Sequence, residues 1–277
     1  MLPTKFRTLV WRHYRVHGRH DLPWRKTYDP YKVLVSEVML QQTQVERVIP
    51  FYKKFIKKFP TARHLASASL ASVLQMWQGL GYNRRAKQLH AAAKEFETIP
   101  ILSYRTDLVS NTNDVVLELR KLSGVGPYTA CAVAAFAFNK NVIFIETNIR
   151  TAIIHHFFRK KRRVSDDEIE KILMQMLPKG RAREWYSALM DYGAYLKRSG
   201  ISHNAQSRHY AKQSKFVGSL REARGAILRE LAKGPCIEAR LADLLGKNRV
   251  LQMRRALGNL RTESLIQKRG KVFTLPR

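Results

Sequence analysis

Cysteine is almost missing: the 277 residues contain two, Cys131 and Cys236, on distant segments. That excludes a disulfide framework and any metal site built on paired cysteines, and it leaves Cys131, inside the apolar run 130–137, as core. No stretch of about 18 apolar residues could cross a bilayer, and the first residues form no apolar leader. A cytoplasmic, reducing setting is therefore expected. Acidic residues are scarce as well, with 21 Asp and Glu against 51 Lys and Arg and a formal net charge of +30. So large an excess repels itself and costs stability. It implies a polyanionic partner, nucleic acid before an anionic membrane surface.

Alternating, strand-like patterning is nearly absent before the last dozen residues. Apolar positions recur at helical spacing in 31–40, 44–58, 69–78, 84–97 and 114–121, punctuated by Pro30, Pro60, Pro100 and Pro127. Ser165-Asp166-Asp167-Glu168 reads as a capping box opening a helix to about Leu177, and another helix is expected over 181–197. Residues 197–215 are polar and basic and read as a linker or irregular loop. Beyond it lie three short helical patterns, 219–233, 237–245 and 248–262. Leu265 to Leu275 then reads as a hairpin with a Lys-Arg-Gly turn. Three helices and a basic hairpin resemble a winged helix, with Arg254, Arg255 and Arg261 on its third helix and Lys268, Arg269 and Lys271 on its wing. A small structural cap with a solvated basic face is the alternative. The expected fold is mainly α, with a core over 1–213 and a winged-helix-like basic domain over 214–277. The core would divide into a six-helix lobe at about 29–135 and a second lobe from 1–28 and 136–213.

Three short segments carry chemistry. Leu122-Ser123-Gly124-Val125-Gly126-Pro127-Tyr128-Thr129-Ala130 follows one apolar helix and opens another. Its glycines permit a tight turn with exposed N–H groups beside a helix N-terminus, a place where a backbone phosphate is favoured. An ordinary helix–helix turn would look similar. Glu37 interrupts the apolar run 33–40, where desolvation would raise its pKa and keep it protonated as a general acid needs; a surface stripe is the blander possibility. Gln41, Gln42 and Thr43, one turn on, offer groups for a base edge or a gap in a base stack. Glu146 ends the apolar run 142–145. It is either the second carboxylate of a glycosidic-bond-cleaving pair or simply a helix-start residue.

In this order the segments resemble the helix-hairpin-helix DNA glycosylases, and among them the adenine glycosylases acting on A/G mismatches. The matching stretches are 22–25 (LPWR), 36–43 (SEVMLQQT), 77–82 (WQGLGY), Arg85-Ala86, 124–130 (GVGPYTA) and 188–194 (ALMDYGA), within roughly 5–197. The resemblance implies two helical lobes with duplex DNA between them. It makes Glu37 the acid that protonates the adenine ring and Glu146 the carboxylate opposing the sugar cation, with Tyr128 and Asn148 lining the pocket. Gln42 and Tyr82 would wedge into the duplex beside the flipped nucleotide. Arg25, Gln41, Thr43, Gly124, Val125, Gly126 and Thr129 would contact DNA, joined by Arg254, Arg255, Lys268 and Arg269 of the basic domain. Tyr128 stands where bifunctional relatives carry a Schiff-base lysine. A structural monovalent cation at the hairpin carbonyls is also implied.

The chain departs from the family pattern at three places. Glu146 replaces the family's catalytic Asp. The four cysteine ligands of an iron–sulfur cluster are matched by Lys197, Asn204, Ser207 and Gln213, so no cluster is expected and no cofactor required. The domain that reads 8-oxoguanine is replaced by the basic C-terminal segment. The expectation is a monomeric, nucleoid-associated, monofunctional glycosylase acting on double-stranded DNA with a mismatched or damaged base, most simply adenine, with no membrane partner. The alternatives are a mismatch thymine or uracil glycosylase and a non-catalytic lesion-binding protein.

Overall fold

The computed structural model describes residues 1–103, 112–207 and 215–276. In chain order these form α1 (Pro3–His17), a 3-10 turn (Pro23–Lys26), α2 (Pro30–Leu40), α3 (Val45–Lys58), α4 (Ala62–Ser67), α5 (Leu70–Met76), α6 (Arg84–Phe96) and α7 (Pro100–Ser103). Then come α8 (Thr112–Lys121), α9 (Pro127–Phe138), α10 (Thr147–Phe157), α11 (Asp166–Met176), α12 (Ala182–Arg198), α13 (Leu220–Lys233), β1 (Cys236–Ile237), α14 (Glu238–Leu245), α15 (Val250–Thr262), β2 (Gln267–Arg269) and β3 (Val272–Thr274). The fold is mainly α, and the helices start where local chemistry says they should. Ser165 and Glu168 form the reciprocal capping box of α11, and Ser69 and Ser219 cap α5 and α13.

Described residues within Met1–Glu37, Tyr104–Lys121 and Val125–Lys212 make one compact unit. Its core is laid down by α12, which buries Trp185, Tyr186 and Leu189. α1 was not anticipated, because its buried Phe6, Val10 and Tyr14 are widely spaced among Arg, Thr and His. Phe6 meets Phe157 and Tyr192 edge-on at 5.3 and 6.1 Å. α12 lies directly on the start of α10, and Gly193 makes that approach feasible: a Cβ there would stand 2.1 Å from the Asn148 carbonyl oxygen. Since the obstacle is backbone, it cannot swing aside. Gly193→Ala is expected to destabilise the protein by roughly 3 kcal/mol or more, which thermal melting will show as a drop in Tm of many degrees. A melting point within a degree or two of the parent would mean that the two helices can part without loss.

Described residues within Val38–Ser103, Leu122–Gly124 and Gln213–Arg277 make the other unit. Phe55, Leu65, Leu74 and Trp77 are fully buried there, with Phe55 edge-on to Trp77 at 5.9 Å. This division differs from the expected one in that the C-terminal segment clusters with 38–103, while α8 and α9 belong to the first unit. The physical reason is specific docking. Gln75 Nε2 donates to the Ala232 carbonyl at 3.3 Å, Lys87 Nζ to that of Glu263 at 2.6 Å, and the Ala71 amide to that of Pro276 at 3.1 Å. The C-terminal segment itself has three helices and a three-stranded antiparallel sheet of order β1-β3-β2. β1 was not legible, being two residues long. The hairpin turn also shifts: Arg269 pairs with Val272, so Gly270 (φ 58°) and Lys271 make the turn, and Lys268 and Arg269 lie in β2. No helix among the described residues is long and apolar enough to cross a membrane.

Candidate active site

Four sequence-selected residues meet in the first unit. Glu37, the one acid of α2, is buried. Burial pushes its pKa up from 4.5 to about 7; a hydrogen bond from Tyr128 opposes the shift and the charge of Glu146 adds to it. The Tyr128 hydroxyl lies 3.4 Å from Glu37 Oε2. It comes from the first turn of α9, where Pro127 starts the helix and Gly126 serves as N-cap. Burial, with the carboxylates of Glu37 and Glu146 nearby, drives the Tyr128 phenol well above its ordinary pKa, so it stays neutral. Its ring packs edge-on against Phe144 at 5.7 Å, and Phe144 stacks on Tyr186 at 4.0 Å.

Glu146 is the N-cap of α10. Its Oε1 accepts from the Asn148 and Ile149 amides at 2.7 and 2.8 Å, and its Oε2 from Thr147 Oγ1 and Asn148 Nδ2, both at 3.1 Å. Glu146 is therefore a helix-start residue, and its carboxylate is fixed through both oxygens. Lys197 of α12, marked in the sequence only as standing at a cysteine position of the family, lies within electrostatic reach: burial lowers its pKa and Glu146 raises it.

The second unit carries the candidate wedge loops. Gln42 (φ 55°) and Tyr82 (φ 47°) both have left-handed backbones without being glycine. Such strain is rare for side chains of this size and gathers at functional tips. Gln42 is exposed, and Tyr82 is partly so. The residue that shapes both loops is Arg85, which the sequence marked as a motif position without a role. Its buried guanidinium donates to the carbonyls of Val38, Met39 and Gln41 at 2.7, 3.1 and 2.6 Å. It also reaches Leu80 and Gly81 at 3.3 and 3.2 Å, and Thr43 Oγ1 at 3.4 Å. Arg85 thus satisfies the orphan carbonyls at the end of α2 and ties residues 41–43 to residues 80–82. Burial pulls its pKa down to about 10, so it remains charged at neutral pH.

At the hairpin, Gly124 (φ 76°) and Gly126 are exposed, and a Cβ on Gly124 would strike Gln88 at 2.6 Å. Val125 and Thr129 bury their side chains, which leaves only their backbone for a phosphate. Ser123 is fixed by Glu95, whose carboxylate takes both its amide and its hydroxyl at 2.6 Å.

Arg25, expected at the DNA, is engaged within the protein. Its Nη1 donates to Asp191 Oδ2 and the Arg19 carbonyl at 2.7 and 3.1 Å, and its Nη2 to Asp191 Oδ1 and the Ser187 carbonyl at 2.9 and 3.2 Å. Both terminal nitrogens are saturated inside the protein, where Arg25 braces α12. Arg254 is paired with Glu238 at 2.8 Å. Arg255, Lys268 and Arg269 are exposed, and Arg261, Lys268 and Arg269 line an open groove of about 690 Å³ between α15 and β2.

The helix–glycine turn–helix and the buried carboxyl of Glu37, its pKa raised to about 7, are the marks of the helix-hairpin-helix class of base-excising proteins. The family described as "HhH-GPD superfamily base excision DNA repair protein" matches residues 35–179, and the chain belongs to it. Among curated relatives it is 33% identical over 273 residues to the adenine DNA glycosylase of Mycolicibacterium smegmatis, covering 91% of this chain and 89% of the relative. It is 36% identical over 192 residues to that of Buchnera aphidicola subsp. Baizongia pistaciae, covering 68% of this chain and 51% of the relative. The chain thus spans nearly all of one relative and about half of the other. A thermostable thymine-DNA glycosylase shares the fold, with TM-score 0.57 and 24% identity over 69% of this chain and 86% of that one. An endonuclease III in a non-covalent DNA complex does so with TM-score 0.56 and 20% identity, over 70% of this chain and 87% of that one.

Proposed function

We propose that this chain is a monofunctional DNA glycosylase that releases adenine from a mispair in duplex DNA. The observation that carries the reading is the buried Glu37 carboxyl beside Tyr128, its pKa pushed by burial up to about 7, where it can give and regain a proton near neutrality. The hairpin and basic surface would hold the backbone in a salt-dependent way. Gln42 and Tyr82 would fill the gap left by the extruded base, which leaves most easily where pairing is already weak. Glu37 then gives its proton to the base and Glu146 opposes the charge growing on the sugar. Water completes an abasic site, because Tyr128 is a neutral phenol where a lyase needs an amine. Adenine specificity draws support from the adenine DNA glycosylases among the relatives. Exposed basic side chains of the C-terminal segment would add phosphate contacts in the manner of a winged helix, and the protein would act as a monomer on nucleoid DNA. Duplexes carrying A, T or U opposite G, C or 8-oxoguanine, incubated and then cleaved at abasic sites by alkali, test this. Release of thymine or uracil in place of adenine would redirect the assignment, and no release from any duplex would leave a binding protein.

The pH profile follows from the acid. Single-turnover release should be flat at low pH and fall as the pH rises through about 7, where Glu37 loses its proton. A rate that climbs across that window would give Glu37 the role of a base.

An iron–sulfur cluster does not fit these residues. No thiolate stands at Lys197, Asn204 or Ser207, and Gln213 lies outside the described residues. Hydrogen bonds secure the segment after α12 instead. The Val164 amide donates to the Gln206 carbonyl at 3.0 Å, Gln206 Nε2 to that of Arg159 at 3.3 Å, and His155 Nδ1 pairs with His203 Nε2 at 3.1 Å. Protein grown with ample iron should purify colourless, with the same melting point in the presence or absence of an iron chelator. Stoichiometric iron in the folded protein would contradict this.

A further inference from the structure

Tyr82 is gripped by a residue 139 positions further along the chain. Arg221, in the first turn of α13, donates Nη1 to the Tyr82 hydroxyl at 2.7 Å. Its guanidinium carbon stands 5.6 Å from the ring centroid, and that of Arg85 stands 5.5 Å from the same ring. Arg85 also takes the Tyr82 carbonyl with its amide at 2.9 Å. Arg85 therefore holds the main chain of Tyr82 in its left-handed conformation, while Arg221 holds the phenol. Arg221 sits on a firm base. One turn later Arg224 makes a two-pronged ion pair with Glu263, at 2.8 and 2.6 Å, and Ser219 caps the helix.

We propose that Arg221 is a positioning residue for base extrusion, through which the C-terminal segment presets the ring that enters the base stack. An aromatic side chain that must insert into DNA loses rotamer freedom when it does so, and fixing it beforehand removes that cost. A hydrogen bond from a charged donor is strong enough to do this at a partly exposed site. On this view α13 belongs to the extrusion machinery itself and is more than an added phosphate-binding surface. The inference rests on the proposed wedge role of Tyr82.

The test uses a duplex with 2-aminopurine in place of the target adenine opposite guanine, and full-length protein carrying Glu37→Gln so that no base is released. Stopped-flow fluorescence reports unstacking. Arg221→Ala and Tyr82→Phe, which keeps the ring and loses only the hydroxyl, are each expected to slow extrusion roughly tenfold, the worth of one charge-assisted hydrogen bond. The double variant should be no slower than either single one, and duplex affinity at fixed salt should stay within a few-fold. Additive losses would assign Arg221 to phosphate binding, and an unchanged rate would remove it from extrusion. Faster extrusion by Arg221→Ala would show that the contact restrains the ring. Each of these overturns the proposal. Tyr82→Ala separates the two levels: if it extrudes at the parental rate, the wedge role itself fails, and this inference falls with it.

Discussion

The Glu37→Gln protein is expected to bind a mispaired duplex as tightly as its parent and to release base slower by at least about a hundredfold, the usual contribution of a positioned general acid. Glutamine matches the carboxyl in shape and still offers an oxygen to Tyr128, so packing in α2 is preserved while the transferable proton is lost. The substitution has a second signature. In the unfolded chain Glu37 ionises near 4.5, and in the folded protein near 7. Between those values the folded state binds more protons, so stability falls as pH rises through the window and stays low above it. Below about 4.5 this stabilisation is present in full. Gln has no such dependence, so the variant should melt higher than the parent at pH 8, and the gap should close as the pH falls towards 4.5. Near-parental single-turnover release by the variant would remove Glu37 from the chemistry; equal melting points at pH 8 would mean its carboxyl is not held neutral.

Glu146→Asn is expected to cost release about a thousandfold, in line with losing one aimed charge-stabilising group. What makes it a clean test is the N-cap. Asparagine is among the best residues at that position, so α10 should still start at Thr147 and the melting point should hold while the charge is gone. Glu146→Asp keeps both charge and cap but draws the carboxylate back by one methylene. The four donors that now fix the two oxygens suit the longer side chain, so a loss of about a hundredfold is expected from misplacement on that scale. Faster release by Asp than by Glu would identify Glu as the misfit, and unchanged release by both variants would reduce Glu146 to a cap.

The sequence revealed those features that rest on local chemistry. Glu37 was visible because it is the lone acid in an apolar helix, the hairpin because its glycines sit between two helices, and α11 because Ser165 and Glu168 sit three apart. What stayed hidden depends on partners far along the chain. Arg25 looks like any basic residue until Asp191, 166 positions later, accepts it. Arg85 shows nothing locally of the two loops it joins. Glu146 could not be divided between cap and catalyst by pattern, because both roles want a carboxylate in the same place. β1 was too short to alternate, and its pairing with β3 is defined only by tertiary structure.

The network around Arg25 bears on how the molecule would meet a chromosome. With only 21 acidic residues available, several are committed to holding arginines in place: Asp191 on Arg19 and Arg25, Asp166 on Arg150, Glu263 on Arg224 and Glu222 on Arg249. The 51 basic residues far outnumber the 21 acidic ones, and the net charge of +30 makes the field around the molecule predominantly positive. A protein whose field is positive in most directions is drawn to a polyanion rapidly but is poorly oriented by it. First landings on DNA should therefore be frequent and mostly non-productive, with the productive face found afterwards by rotation and sliding along the backbone. Added salt would then shorten each visit while leaving the short-range choice among base pairs largely as it was.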